Sequence, residues 1–265
     1  MRYIIVSMFL LILFSACAPS DSEEPTAVAM QPTPPMHGEM VTYGVGEDVD
    51  IELRGYLSEP VNPDSVLEAM GRSADQSLPG LIIIHEWWGL NEDIELMASR
   101  FAGEGFRTLA VDLYNGQVAT TPELAQEAME TATENMAGID ANIRAAYDYL
   151  TEQHGADEVA ILGWCFGGTM ALRSAVMLED DIDAAVIYYG RLDDVDEEQL
   201  EAIEAPVLGF FGSEDERIPV DQVREFERTM NDLGKDVEIE VFEGAEHAFA
   251  NPAGPNFVES AARAS

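Results

Sequence analysis

Four short segments combine glycine with side chains that can move protons or attack a carbonyl carbon. Gly163-Trp164-Cys165-Phe166-Gly167 sets a cysteine between two glycines, and Gly168 follows. A sharp strand-to-helix turn needs glycine at its flanks and projects the central residue at the helix N-terminus. There the helix dipole and unbonded amides favour a thiolate. An ordinary thiol, with a pKa of about 8.5, is only a few per cent ionised at neutral pH, so such a cysteine needs a base. Gly244-Ala245-Glu246-His247-Ala248-Phe249 offers His247 as that base. Gly212-Ser213-Glu214-Asp215-Glu216-Arg217-Ile218-Pro219 offers Asp215 to hold the imidazole in the useful tautomer; Glu214 and Glu216 compete for the same role. His85-Glu86-Trp87-Trp88-Gly89-Leu90-Asn91 could supply an oxyanion-hole N–H from Trp87, with a second from Phe166. A charged Glu86 would oppose a developing oxyanion, so it needs a role of its own. The plain alternative is a small buried cysteine in a glycine-rich turn.

The hydropathy pattern says which elements must hold these segments. Residues Met40 to Leu57 alternate in character around Gly46-Glu47-Asp48, which predicts an antiparallel hairpin. Leu81-Ile82-Ile83-Ile84 is continuously apolar, as in a strand covered on both faces. Helices are predicted over Asn91–Glu104, Thr121–Met136, Ile139–Gln153, Phe166–Leu178 and Val220–Leu233. Further strands are predicted over Phe106–Val111, Val159–Leu162, Ala184–Tyr189, Val207–Phe211 and Val237–Phe242. Alternating strands and helices imply right-handed crossovers and a mostly parallel sheet with helices on both faces. All four segments then fall at carboxyl ends of strands, where ligands bind in such sheets.

The order nucleophile, acid, histidine is that of α/β-hydrolases. Glu86 to Asn91 (Glu-x-x-Gly-Leu-Asn), Asp112-Leu113-Tyr114, Gly163 to Gly168, Tyr188-Tyr189-Gly190 and His247-Ala248-Phe249 together resemble the dienelactone hydrolase family, from about Gly80 to Phe249. The resemblance implies an α/β-hydrolase fold and a triad of Cys165, His247 and Asp215. It also implies that Glu86 holds the resting cysteine and helps to deprotonate it when substrate enters. Acylation would give a thioester at Cys165, and water activated by His247 would release the acid, without a cofactor. In the family, arginines that bind a substrate carboxylate follow the Asp-Leu-Tyr and His-x-Phe motifs. Here those stretches read Asn115-Gly116-Gln117 and Ala250-Asn251-Pro252. The expected substrate is therefore a small neutral ester or lactone rather than a dienelactone. Trp87, Trp88, Tyr114, Trp164 and Phe249 are candidates for the pocket wall, with core packing as the alternative for each. The chain stops at Ala261-Ala262-Arg263-Ala264-Ser265, where family members carry a longer helix, so thinner cover of the sheet is expected there.

Other readings of the same residues remain open. Acyl transfer or thioester hydrolysis needs only a different acceptor or donor at the same triad, and a non-catalytic surface binding protein could retain the fold. A redox thiol is disfavoured because no resolving cysteine lies near Cys165. His37 falls in a predicted tether, His85 reads as packing, and His154 sits near a helix end where positive charge suits the dipole. No cluster has metal-ligand spacing.

The 265 residues carry 13 Lys+Arg against 51 Asp+Glu, a net charge of −38. Such a surface repels phosphates, which disfavours nucleic acid as a partner, and repels itself unless salt screens it, which predicts a salty habitat. Arg2, the apolar run Ile4 to Phe14 and Ser15-Ala16-Cys17 read as an export signal, since crossing a bilayer takes about 20 apolar residues. The small residues before Cys17 resemble a bacterial lipoprotein signal. The chain is therefore expected to comprise a signal peptide (1–16), a lipid-anchored Pro/Ser/Thr-rich linker starting at Cys17 (17–38) and one α/β-hydrolase domain (39–265), exported and held on a bacterial membrane. The sequence sets no oligomeric state.

Overall fold

The computed structural model describes residues 37–46, 51–73 and 76–265. The expected signal peptide, Cys17, most of the linker and the Glu47-Asp48 turn lie outside the described residues.

Strand β1 (Gly38–Val45) pairs antiparallel with β2 (Glu52–Ser58), and β2 pairs antiparallel with β4 (Arg107–Val111). Every other pairing is parallel: β4 with β3 (Gly80–Ile84), then β5 (Val159–Trp164), β6 (Ala184–Tyr188), β7 (Val207–Gly212) and β8 (Val237–Phe242) in turn. The sheet order is β1-β2-β4-β3-β5-β6-β7-β8. The helices are α1 (Pro63–Ala69), α2 (Glu92–Gly103), α3 (Pro122–Thr133), α4 (Met136–Asp148), α5 (Phe166–Leu178), α6 (Glu197–Ala202), α7 (Val220–Asp232) and α8 (Glu259–Ala264).

Strand periodicity splits the core into two layers. Ile82, Ile84, Leu109, Ile161 and Ile187 face one side with Ile143 of α4, Met170 of α5 and Phe226 of α7. Leu81, Ile83, Ala110, Leu162 and Val186 face the other with Ile94 and Ala98 of α2 and Ala261 of α8. Leu81 to Ile84 are all fully buried, and each such side chain contributes roughly 1.5–3 kcal/mol relative to exposure. Helix α8 thus covers part of the second layer.

Boundaries follow capping chemistry. Thr121 accepts the Leu124 amide at 3.4 Å and Pro122 opens α3, where a proline's missing N–H costs nothing. The expected helix from Ile139 instead begins at Met136, because Asn135 caps it by accepting the Gly138 amide at 3.0 Å. Its expected end at Gln153 is a π-helical turn, Tyr149–Gln153. Helices α1 and α6 are too short to show periodicity, although Asp196 and Gln199 form a reciprocal capping box that starts α6.

Candidate active site

Strand β5 delivers Cys165 to a turn where its backbone has φ 54° and ψ −114°, immediately before α5. Glycines enforce this turn from both sides. A Cβ on Gly163 would stand 2.1 Å from the Gly167 carbonyl oxygen, and one on Gly167 would stand 2.2 Å from that of Ile84. The end of β3 therefore lies directly against the start of α5. The Cys165 amide donates to the Tyr188 carbonyl at 3.0 Å, fastening the turn to the neighbouring strand. Phe166 is the first residue of α5, so its N–H has no acceptor within the helix.

The loops after β7 and β8 bring the partners. His247 Nε2 lies 3.2 Å from Cys165 Sγ, and His247 Nδ1 lies 2.7 Å from Asp215 Oδ2. The Asp215 Oδ1 accepts the backbone amides of Arg217 at 2.9 Å and Ile218 at 3.1 Å. Of the three acids that could have met the imidazole, Asp215 does; Glu214 and Glu216 point outward, exposed. Burial alone disfavours the charged imidazole, but hydrogen bonds and charge from Asp215 and Cys165 outweigh it and raise the His247 pKa to about 9.

Glu86 is buried, and burial raises its pKa to about 7 against the opposing hydrogen bonds of Asn251 and Tyr189. Asn251 Nδ2 donates to one carboxyl oxygen, and the Tyr189 hydroxyl donates to the other at 3.4 Å. The resemblance implied that Glu86 holds the resting cysteine; in this arrangement Cys165 rests on His247 and Glu86 on Asn251 and Tyr189. Neither partner was singled out from sequence, although Asn251 lies only four residues past His247 and Tyr189 falls in the Tyr-Tyr-Gly motif.

His85 orders the loop that carries Glu86 and Trp87. Its Nδ1 donates to the Glu86 carbonyl at 2.6 Å while its Nε2 accepts the Leu113 amide at 3.2 Å. Complete burial lowers its pKa, in keeping with a neutral, structural ring. His154, expected to suit a positive charge, is instead shifted down by burial and by Arg107, with Glu59 opposing.

The aromatic candidates separate. Trp164 packs on Tyr188 and borders a small cleft with Glu86, Tyr189 and Asn251. Trp88 is half-buried, edge-on to Trp87 at 5.1 Å. Tyr114 packs against His85 and Phe166, and its buried hydroxyl has no hydrogen-bond partner among the described residues. Its ring also lines a cavity of about 520 Å³ between Leu53 of β2, the loop after β4 and helices α3 and α4, whose walls include none of Cys165, His247 or Asp215. Phe249 corrects the expectation of a pocket wall: it is fully buried between Tyr189 and Phe242, and so supports the His247 loop from within the core. Arg217, also not singled out, lies over Trp87 with its guanidinium carbon 5.8 Å from the ring centroid. Among the described residues no group of His, Cys, Asp or Glu side chains converges so as to hold a metal ion.

A strained cysteine at a strand-to-helix turn, bonded to a histidine that is bonded to a buried aspartate, can carry out nucleophilic acyl chemistry. Known proteins agree with the fold that supports it. The sequence profile of the dienelactone hydrolase family matches residues 67–265. "Protein usf" of Aquifex pyrophilus is 33% identical over 220 residues, covering 81% of this chain and 87% of that one. A protein of Aquifex aeolicus named by inference as a carboxymethylenebutenolidase is 30% identical over 220 residues, with the same coverage of 81% and 87%. The crystal structure of P91, a dienelactone hydrolase-like promiscuous phosphotriesterase from metagenomic libraries, superposes with a TM-score of 0.71 at 22% identity, over 86% of this chain and 94% of that one. On the profile match and the Aquifex relatives, the chain belongs to the dienelactone hydrolase family.

Proposed function

We propose that this protein hydrolyses a carboxylic ester or lactone, other than a dienelactone, through Cys165, His247 and Asp215. The observation that carries the reading is the continuous path from Asp215 Oδ2 to His247 Nδ1 at 2.7 Å and from His247 Nε2 to Cys165 Sγ at 3.2 Å. The carboxymethylenebutenolidase name of the Aquifex aeolicus relative supports an ester or lactone as the bond class.

In the reactive pair the proton of the Cys165 thiol resides on His247, an imidazolium that the raised pKa favours and Asp215 holds. The Cys165 sulfur forms a bond to the carbonyl carbon while the carbonyl π pair moves to oxygen. The amides of Phe166 and Trp87 are suited to hold that oxyanion. Collapse breaks the bond to the leaving oxygen, which takes the His247 proton, and leaves a thioester on Cys165. Water then gives a proton to His247, attacks the thioester and releases the acid; the proton returns to sulfur. With a pKa of about 7, Glu86 is about half protonated at neutral pH and brings less than a full negative charge to the oxyanion.

The test is hydrolysis of 4-nitrophenyl butyrate by wild type and Cys165→Ala, together with mass spectrometry of His247→Ala after brief exposure to the ester. Release of nitrophenolate by wild type alone, with an acyl mass on Cys165, supports the reading. Equal rates in the two proteins, or none in either across an ester panel, would overturn it. The proposal extends to export and to lipid attachment at Cys17, which would hold the domain on the periplasmic or cell-surface side of a bacterial membrane. Fatty-acid label on the mature protein that disappears in Cys17→Ala supports this extension, and an unlabelled mature protein removes it.

A further inference from the structure

The cavity of about 520 Å³ beside Tyr114 takes no part in the proposed reaction, since its walls hold none of Cys165, His247 and Asp215. It lies where α3 and α4 meet. Small residues on both helices, Ala128 and Ala132 on α3 with Gly138 and Ala141 on α4, leave the space between them unfilled. Its floor is apolar and buried, built from Leu53, Leu113, Ile139 and Tyr114. Tyr114 also packs on His85 and Phe166, and so forms the partition between the cavity and the cysteine turn.

The walls carry no charge. Charged residues make up 24% of the chain, yet the described residues lining the cavity include no Asp, Glu, Lys, Arg or His. Tyr114 is the one titratable side chain among them, and burial, with the nearby Cys165, disfavours its ionisation. The side chains of Asn115, Gln117 and Thr131 stand exposed at the mouth, and none makes a hydrogen bond among the described residues. They leave amide and hydroxyl donors and acceptors free. Small-molecule sites commonly take this form, an apolar concavity of roughly 300–1,000 Å³ with a few polar groups that fix orientation. An ion entering it would give up hydration without meeting an opposite charge. Anions are also repelled by the surface of a chain with net charge −38. A neutral molecule meets neither obstacle and gains by covering the apolar floor.

We propose that this cavity is a second binding site, separate from the reacting groups, for a neutral, largely apolar small molecule carrying an amide, hydroxyl or carbonyl group. The apolar part lies on Leu53, Leu113 and Ile139, and the polar group meets Asn115, Gln117 or Thr131 at the mouth. The site does not depend on Cys165 being the nucleophile.

The test uses two dyes that share a ring system and fluoresce on leaving water. N-phenyl-1-naphthylamine is neutral, and 8-anilinonaphthalene-1-sulfonate adds a sulfonate. Each is titrated into wild type, Cys165→Ala, Ala132→Phe and Ala137→Trp. The expected result is saturable one-to-one binding of the neutral dye, equal in wild type and Cys165→Ala, with the sulfonate much weaker. Ala132→Phe fills the cavity and should weaken the neutral dye by roughly tenfold or more. Ala137→Trp, at an exposed position of the mouth, should weaken it in the same direction and keeps the test available if Ala132→Phe misfolds. Melting temperatures identify the folded variants. No saturable binding to wild type, unchanged affinity in the folded cavity variants, or equal binding of the sulfonate would overturn the proposal. So would loss of binding in Cys165→Ala, which would place the dye at the cysteine instead.

Discussion

His247 Nδ1 meets one oxygen of Asp215 at 2.7 Å while two backbone amides hold the other oxygen, so the carboxylate is fixed before the imidazole arrives. In the proposed mechanism it orients the ring and stabilises its charge. Asp215→Asn preserves the shape and offers an amide where the ring donates. We expect kcat to fall by roughly 10²- to 10⁴-fold, with little change in KM. A loss below about threefold would remove Asp215 from the proposed mechanism.

The Tyr114 hydroxyl is buried without a partner among the described residues, and both burial and the nearby Cys165 disfavour its ionisation. Tyr114→Phe deletes an unsatisfied polar group and is expected to stabilise by about 1 kcal/mol, raising the melting temperature by about 2–4 °C. Lower kcat with unchanged folding would instead assign the hydroxyl to the reaction.

Glu86 should make stability depend on pH with a definite sign. Its pKa rises from an ordinary 4.5 to about 7 on folding, so the folded state binds more protons between those values. Stability from this group is complete below about pH 4.5 and is lost as pH rises through about 7; at 1.36 kcal/mol per pH unit the loss is at most about 3 kcal/mol. His247, raised to about 9, acts in the same direction in the next window, from about 6.5 to 9. Glu86→Gln should flatten the melting-temperature profile between pH 5 and 7 and leave the alkaline slope. A parallel profile would show that Glu86 ionises normally.

Net charge sets the fourth expectation. At −38 the folded chain repels itself, and raising ionic strength from about 0.1 M to about 1 M shortens the Debye length from about 10 Å to about 3 Å. The melting temperature should climb by several degrees over that range in sodium chloride. A flat response would mean that the acidic surface serves solubility alone.

Much of this architecture was legible because it is written in local patterns. Leu81–Ile84 announces itself by an unbroken apolar run, Val237–Phe242 by alternation, and the cysteine turn by glycines that no larger residue could replace. The pairing of His247 with Asp215 rather than Glu214 or Glu216 came from the family resemblance and not from spacing, because three neighbouring carboxylates differ only in which way the loop turns them. Asn251 and Arg217 were missed for a similar reason. Each contacts a partner distant in sequence, Glu86 or Trp87, and an asparagine or arginine in a loop has no periodic signature. Phe249 was misread because an aromatic residue beside a histidine looks the same whether its ring faces a cleft or the core.

The antiparallel pair at the start of the domain has a mechanical consequence. The chain enters at Gly38 in β1, at one border of the sheet, whereas the loops bearing Asp215 and His247 follow β7 and β8 at the opposite border. Tension arriving through the segment before Gly38 is delivered to a terminal hairpin that carries none of the proposed reacting groups. Peeling of that hairpin would relieve the load before it reached the sulfur and imidazole, so the anchorage proposed at Cys17 would strain the strand pair farthest from the proposed reacting groups.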